Sequence, residues 1–148
     1  MFKIRTILCP IDFSDASLKE VSYAREFATG MGASIYLLNV VDVPVEVMVN
    51  NLPLEEKFEQ EERDKLEKII QQLVSEGLRA DGSVEFGSPD EVILEKAREQ
   101  GVNLIIMASH CKSGLNRLFL GSVTESVMRR ASCPVLVVKS NETEFIGE

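Results

Sequence analysis

Apolar residues fall in short dense blocks, separated by longer stretches with a helical repeat. Ile7-Leu8-Cys9, Ser34 to Val41 (SIYLLNVV), Leu104 to Met107 and Val135 to Val138 are nearly continuous apolar runs. Runs of that length suit strands covered on both faces. The first strand is predicted over Lys3 to Ile11, with Pro10 ending the pairing because it lacks an N–H. Leu18, Val21, Ala24, Phe27 and Ala28 then trace one helical face. Asp12 or Ser14 can cap that helix, and Gly30 and Gly32 mark its end. A charged helix is predicted over Glu55 to Glu76, with Phe58, Glu62, Leu66, Ile69 and Leu73 on its inner face, widened by Ile70 and Val74. Gly77 suits its C-terminal cap. Ser83 to Phe86 alternates like an edge strand. Ser88-Pro89-Asp90-Glu91 predicts an N-cap, a proline in the first turn and a capping box, and Gly101 closes that helix. Ser122 and Glu125 have the spacing of a second capping box. Five strands alternating with helices imply parallel pairing and right-handed crossovers, hence a three-layer α/β sandwich.

Asp42 to Leu54 breaks the pattern. Pro44 and Pro53 bracket Val43, Val45, Val47, Met48 and Val49. A loop this apolar folds over something: its own core, a ligand or a partner subunit.

The 148 residues, 45% hydrophobic and 27% charged, suit one globular domain over residues 1–140 and a loosely held polar tail over 141–148. No apolar run approaches a membrane span, and a cytoplasmic location is expected. The net charge of −8 argues against general nucleic-acid binding and against a polybasic membrane surface. Cys9, Cys111 and Cys133 have neither disulfide nor zinc spacing. Cys9 and Cys133 read as small hydrophobes. Cys111, followed by Lys112, reads either as a small loop residue or as a thiol of lowered pKa. Walker, dinucleotide, nucleophile-elbow and HExxH motifs are missing from the sequence.

The segment Asn103 to Lys139 carries the functional signal. An apolar strand leads through Ala108-Ser109 and a polar loop holding Lys112 and Arg117 to Gly121-Ser122, which opens a helix. Amides in a first helical turn lack internal partners, and the helix dipole favours anions there, so a phosphate fits such a junction. Asp12 reads as a helix cap or as a carboxylate beside a ligand at a strand's C-terminal end.

These stretches resemble the universal stress protein family over nearly the whole chain. The family signature is Gly, two residues, Gly, nine residues, then Gly followed by Ser or Thr. Gly121-Ser122 closes it here, while Ala108 and Cys111 replace the two leading glycines. Ile105-Ile106-Met107, Ser109-His110, Gly121 to Glu125 and Cys133 to Val138 match the frame, and Pro10-Ile11-Asp12-Phe13-Ser14 looks like the first-strand motif. The resemblance implies a Rossmann-like, doubly wound five-stranded sheet of order 3-2-1-4-5. It implies ATP or AMP as ligand, with Mg²⁺ carried by the phosphates. Pro10, Asp12, Val40 and Met107 would lie on the adenine and ribose side. Ala108, Cys111, Gly121, Ser122, Val123 and Thr124 would lie on the phosphate side, acting mainly through backbone amides and two hydroxyls. Lys112 and Arg117 either add charge or face solvent. His110 is the only histidine, and the family does not use it as a base.

The expected function is a nucleotide-occupancy switch in a stress response. Ala108 and Cys111 motivate an alternative, a member that has lost ATP and acts through partner contacts. A third reading, a slow ATPase or nucleotidyl transferase, has only Asp12 as a candidate base, and fold alone is no warrant for chemistry. In the implied strand order, Val135, Leu136, Val137 and Val138 form an apolar edge, which predicts a two-fold homodimer.

Overall fold

The computed structural model describes residues 3–42, 52–109, 120–139 and 142, with the backbone alone described for 52–55. Strand β1 (Thr6–Pro10) leads to helix α1 (Asp15–Met31) and strand β2 (Ser34–Val41). Helix α2 (Leu52–Ser75), strand β3 (Ala80–Phe86), helix α3 (Pro89–Glu99), strand β4 (Leu104–Ala108), helix α4 (Ser122–Arg130) and strand β5 (Val135–Val138) follow. All four pairings are parallel, and the sheet order is β3-β2-β1-β4-β5. The three-layer, doubly wound fold expected from the alternation is therefore the fold observed.

The odd and even residues of each strand serve different faces. Ile7, Cys9, Ile35, Leu37, Leu104 and Ile106 pack with α1 and α2 around Val21, Ala24, Leu66 and Leu73. Leu8, Leu38, Ile105 and Met107 pack with α3 and α4 around Ile93, Leu94 and Val127. Every residue of β4 is buried, which explains its continuous apolar run. Each fully buried Leu or Ile contributes about 1.5–3 kcal/mol relative to exposure.

Several boundaries differ from the sequence reading. β1 starts at Thr6, because the amides of Arg5 and Thr6 both donate to Asn103 Oδ1, at 2.8 and 3.1 Å. β3 starts three residues earlier than expected, and Gly82 lies within it. A Cβ there would sit 2.5 Å from the Leu37 carbonyl oxygen, so this glycine permits a close strand approach instead of marking a turn. Helix α2 begins at Leu52, with Pro53 tolerated in its first turn. Leu18 and Phe58 are 44% and 45% exposed, so neither belongs to its helix's inner stripe.

The caps also resolve. Ser14 caps α1 by accepting the Ser17 N–H, and Gly32 ends it in the left-handed region (φ 67°). Neither expected capping box forms. Ser88 Oγ donates to Asp90 Oδ1 at 2.8 Å, and Glu91 pairs with Arg130 at 2.7 Å. The N-cap of α4 is Gly121, not Ser122, and Glu125 turns along the helix to Arg129 at 2.6 Å. The irregular loop falls at 43–51, outside the described residues. Of the tail, Glu142 is described: its carboxylate accepts from Tyr23 Oη and lies 3.4 Å from Lys19 Nζ. That gives the expected loose tail one fixed point on α1.

Candidate functional site

The order β3-β2-β1-β4-β5 makes β1 and β4 the switch point, since the chain leaves β1 in one direction and β4 in the other. Pro10, Asp12 and Val40 lie at or just past the C-terminal ends of β1 and β2. Met107 and Ala108 end β4, and Gly121 to Thr124 open α4. Cys111 lies outside the described residues, as do His110, Lys112 and Arg117. Val40 and Met107 turn toward the α3/α4 core, and Met107 is buried in it.

The turn after β1 is tightly held. The Asp12 N–H donates to Ser17 Oγ at 3.2 Å, and Asp12 Oδ1 accepts the Ser14 N–H at 3.0 Å. Phe13, between them, has φ 63°. For a bulky residue the left-handed region costs about 1–2 kcal/mol, and that cost is offset by packing. The ring sits against the α1/α2 core, with Lys65 Nζ 5.5 Å from its centroid. The result is an Asp12 carboxylate presented at the rim of the sheet, exposed but fixed in direction. Ser14, not Asp12, is therefore the cap of α1, and Asp12 forms the turn before it with its carboxylate at the rim. Beside it, Asn39 Nδ2 donates to the Ile11 carbonyl at 2.9 Å, and Asn39 Oδ1 is buried without a hydrogen-bond partner among the described residues.

Ala108 is held from two sides. Its N–H donates to the carboxyl of Glu20 on α1, and its carbonyl accepts Thr124 Oγ1 from α4 at 3.1 Å. Ala108 is 2% exposed, and the alternation of Leu104 and Ile106 directs its methyl to the α1 side of the sheet. Its amide is already committed to Glu20, so residue 108 shapes the site as a fixed corner and not as a phosphate donor. The Thr124 hydroxyl is likewise engaged, while Ser122 is exposed.

Among the described residues no side chain caps the first turn of α4, and its amides suit an anion. Gly121 provides no side-chain cap, and the Glu125 carboxylate does not fold back over the amides. Gly121 has φ −61°, a value any residue adopts, so what it contributes is the missing side chain.

Glu20 escaped the sequence reading. It is 1% exposed, and the largest cause of its raised pKa is burial, with the Asp12 carboxylate adding to it. Cys9 Sγ lies 3.7 Å from its Oε1, and burial plus that carboxyl push the thiol up as well, so Cys9 is an inert thiol. The available signal was spacing: Ser17, Glu20, Val21, Ala24 and Ala28 form the buried stripe of α1, and Glu20 is the one charged residue type on it. The other depressions found among the described residues lie elsewhere. One, lined by Ala28, Gly32, Gly77 and Arg79, is at the opposite end of the sheet, among helix C-termini whose carbonyl ends repel anions. No group of three or more His, Cys, Asp or Glu suited to a metal ion occurs among the described residues.

Comparison with known proteins adds the following. The model of the Universal stress protein family matches residues 3–139. Universal stress protein MJ0577 of Methanocaldococcus jannaschii is 32% identical over 91% of this chain and 94% of its own length. The MJ0577 structure superposes with a TM-score of 0.84 at 33% identity, covering 96% of this chain and all of the other. A universal stress protein solved in complex with cAMP superposes at 0.70 with 20% identity, covering 95% and 100%. One from Archaeoglobus fulgidus in complex with dAMP superposes at 0.65 with 18% identity, covering 94% and 100%. The last two, at such low identity, speak for the shared fold.

Proposed function

This chain belongs to the universal stress protein family, and we propose that it is an adenine-nucleotide-binding regulatory module of that family. The nucleotide would lie across the C-terminal ends of β1 and β4. The observation that carries this reading is the first turn of α4, uncapped by any side chain among the described residues, bounded on one side by the clamped Ala108 and facing the fixed Asp12 turn. Amides of Ser122 and Val123 suit phosphate oxygens, and the Ser122 hydroxyl can add to them. Asp12 suits a ribose hydroxyl as acceptor, and Pro10, Val40 and Met107 give that side an apolar wall. Relatives described as complexes with cAMP and dAMP support the adenine class of ligand. With ATP, a Mg²⁺ ion would be held mainly by the phosphates. Bound nucleotide would act as an occupancy signal in a stress response, with no turnover required.

The burial of Ala108 favours retained binding, since that departure from the family signature directs its methyl to the α1 side of the sheet. A second reading, action through a homodimer, is favoured by β5. It is the sheet edge, and Val135, Leu136 and Val137 are only half-buried there. Such an edge invites pairing with a second copy. No helix among the described residues is long and apolar enough to cross a membrane.

Denaturing extraction of the purified protein, with chromatography of the released small molecules, tests the proposal. Near-stoichiometric adenine nucleotide is expected, together with a dimer mass by light scattering. Absence of nucleotide, with no heat and no thermal shift on adding ATP–Mg²⁺, would overturn nucleotide binding and leave the dimer reading.

A further inference from the structure

Glu20 is the one acidic side chain buried at the switch point, and no role above uses it. It reaches from α1 into the gap that opens between β1 and β4 past their last rungs, Ile7↔Leu104 and Leu8↔Ile105. There its carboxyl takes the place of a strand, accepting the Ala108 N–H. What faces it is known from each neighbouring element. β1 brings the Cys9 thiol at 3.7 Å, the following turn brings the Asp12 carboxylate, and β4 brings the Ala108 amide. β2 brings neutral Leu37, Asn39 and Val41. On α2 the buried Glu62 pairs with Lys65 at 2.7 Å, and just past its end Glu76 lies 3.7 Å from Arg25. Lys19, next in sequence, is turned to Glu142 at 3.4 Å. Among the described residues no cation sets the proton affinity of Glu20: burial, the largest cause, and Asp12 raise it, while the Ala108 and Cys9 hydrogen bonds lower it by less. A carboxylate out of water without a cation, and next to another carboxylate, is strongly disfavoured against its neutral form.

We propose that Glu20 is a positioning residue of the nucleotide site, holding the Ala108 corner as an uncharged carboxylic acid, and that nucleotide binding is coupled to proton uptake at Glu20. The inference rests on the nucleotide-binding reading above. Its logic is electrostatic. A phosphate-bearing ligand adds negative charge to the crevice that Asp12 already makes negative. The added charge favours the protonated form of Glu20 further, so the bound protein holds its proton to a higher pH than the free protein does. Between those two pH values the complex takes one proton from solvent as it forms, and affinity falls with rising pH. Below the window Glu20 is neutral in both states, and above it ionised in both, so affinity is level on either side. In the ionised state the carboxylate still accepts the Ala108 N–H but repels the ligand, so the charge opposes binding. The carboxamide of Glu20→Gln keeps an oxygen that accepts the Ala108 N–H and removes the titration.

The test is calorimetric titration of the wild-type protein with AMP and with ATP–Mg²⁺ across pH 5.5 to 9, in pairs of buffers with different ionisation enthalpies. The same series is run on Glu20→Gln. The expected result is uptake of up to one proton by the wild type beyond that of the variant. Its Kd should rise by up to about tenfold per pH unit within the window, while the variant follows only the titration of the nucleotide's own phosphate. Identical pH profiles and identical proton uptake in the two proteins would overturn the coupling and leave nucleotide binding standing. Absence of binding by the wild type at every pH would instead remove the nucleotide reading, and this inference with it. Should Glu20→Gln not fold, the buffer comparison on the wild type with cyclic AMP, whose phosphodiester carries negative charge but does not titrate in this range, decides the matter. Proton uptake supports the coupling, and pH-independent binding without uptake refutes it.

Discussion

The two faces of the sheet are built by different rules. On the α3/α4 face, Leu8, Leu38, Ile105 and Met107 meet Ile93, Leu94 and Val127, and apart from the buried Thr124 hydroxyl, which donates to the Ala108 carbonyl, polar contacts are kept to the rim. There Asp90 accepts from Ser126 at 2.7 Å and Arg130 meets Glu91 at 2.7 Å, close to solvent. The Ser126 hydrogen bond, then that of Ser88, holds the Asp90 carboxyl below its ordinary value. On the α1/α2 face, Ser17, Glu20, Asn39 and Glu62 are themselves buried among apolar neighbours. A dry face maximises packing. A face with buried polar groups gives up some of that burial to fix particular backbone atoms: Asp12 N–H by Ser17, the Ile11 carbonyl by Asn39 and Ala108 N–H by Glu20. All three lie at the same end of the sheet, so polarity is spent where the geometry of a site must be held.

Three measurements can strain that contrast. The largest effect is expected on the dry face. Ile105→Ala removes a fully buried side chain and should cost about 2–5 kcal/mol in denaturant unfolding, by the same amount at every pH. A cost that varied with pH would show that this face too depends on a titrating group. The next effect belongs to the other face. Burial raises the pKa of Glu20 above its unfolded value, so its contribution is fully present below the unfolded pKa and is lost as pH rises through the folded one. Stability should therefore decline above about pH 4.5, by up to about 1.4 kcal/mol per pH unit, until Glu20 ionises in the native state. Glu20→Gln should remove that slope, and a wild-type melting temperature unchanged from pH 5 to 8 would contradict it. The smallest effect lies on the rim. Arg130→Ala should leave the unfolding midpoint unchanged within error at moderate salt, because exposed pairs are screened. A clear loss would mean that the α3–α4 rim is part of the core.

The same contrast explains what could be read from the chain alone. Strand blocks such as Leu104 to Met107 were legible because burial on both faces leaves a run with no polar break, and the order followed from the family resemblance. The Asp12 turn and Gly121 were legible because their local chemistry is short-range: a carboxylate after a strand, a glycine before a helix. Glu20 was not, because a glutamate in a charged helix reads as surface, and only the tertiary gap between β1 and β4 gives it a partner. The need for Gly82 was illegible for a similar reason: its cause is the Leu37 carbonyl on a strand 45 residues earlier. The capping boxes failed because Glu91 and Glu125 found arginines, a competition that spacing does not reveal.

The double hold on Ala108 has a mechanical consequence. A residue pinned on its amide side by α1 and on its carbonyl side by α4 cannot swivel, so β4 ends in a rivet between two helices far apart in the chain. The next amide, that of Ser109, donates to the Val138 carbonyl at 2.9 Å. Push on the first turn of α4 and the load passes through Thr124 and Ala108 into α1 on one side, and through Ser109 into the edge strand β5 on the other. A ligand seated on α4 would thus press, through rigid linkages, on an edge strand of the sheet.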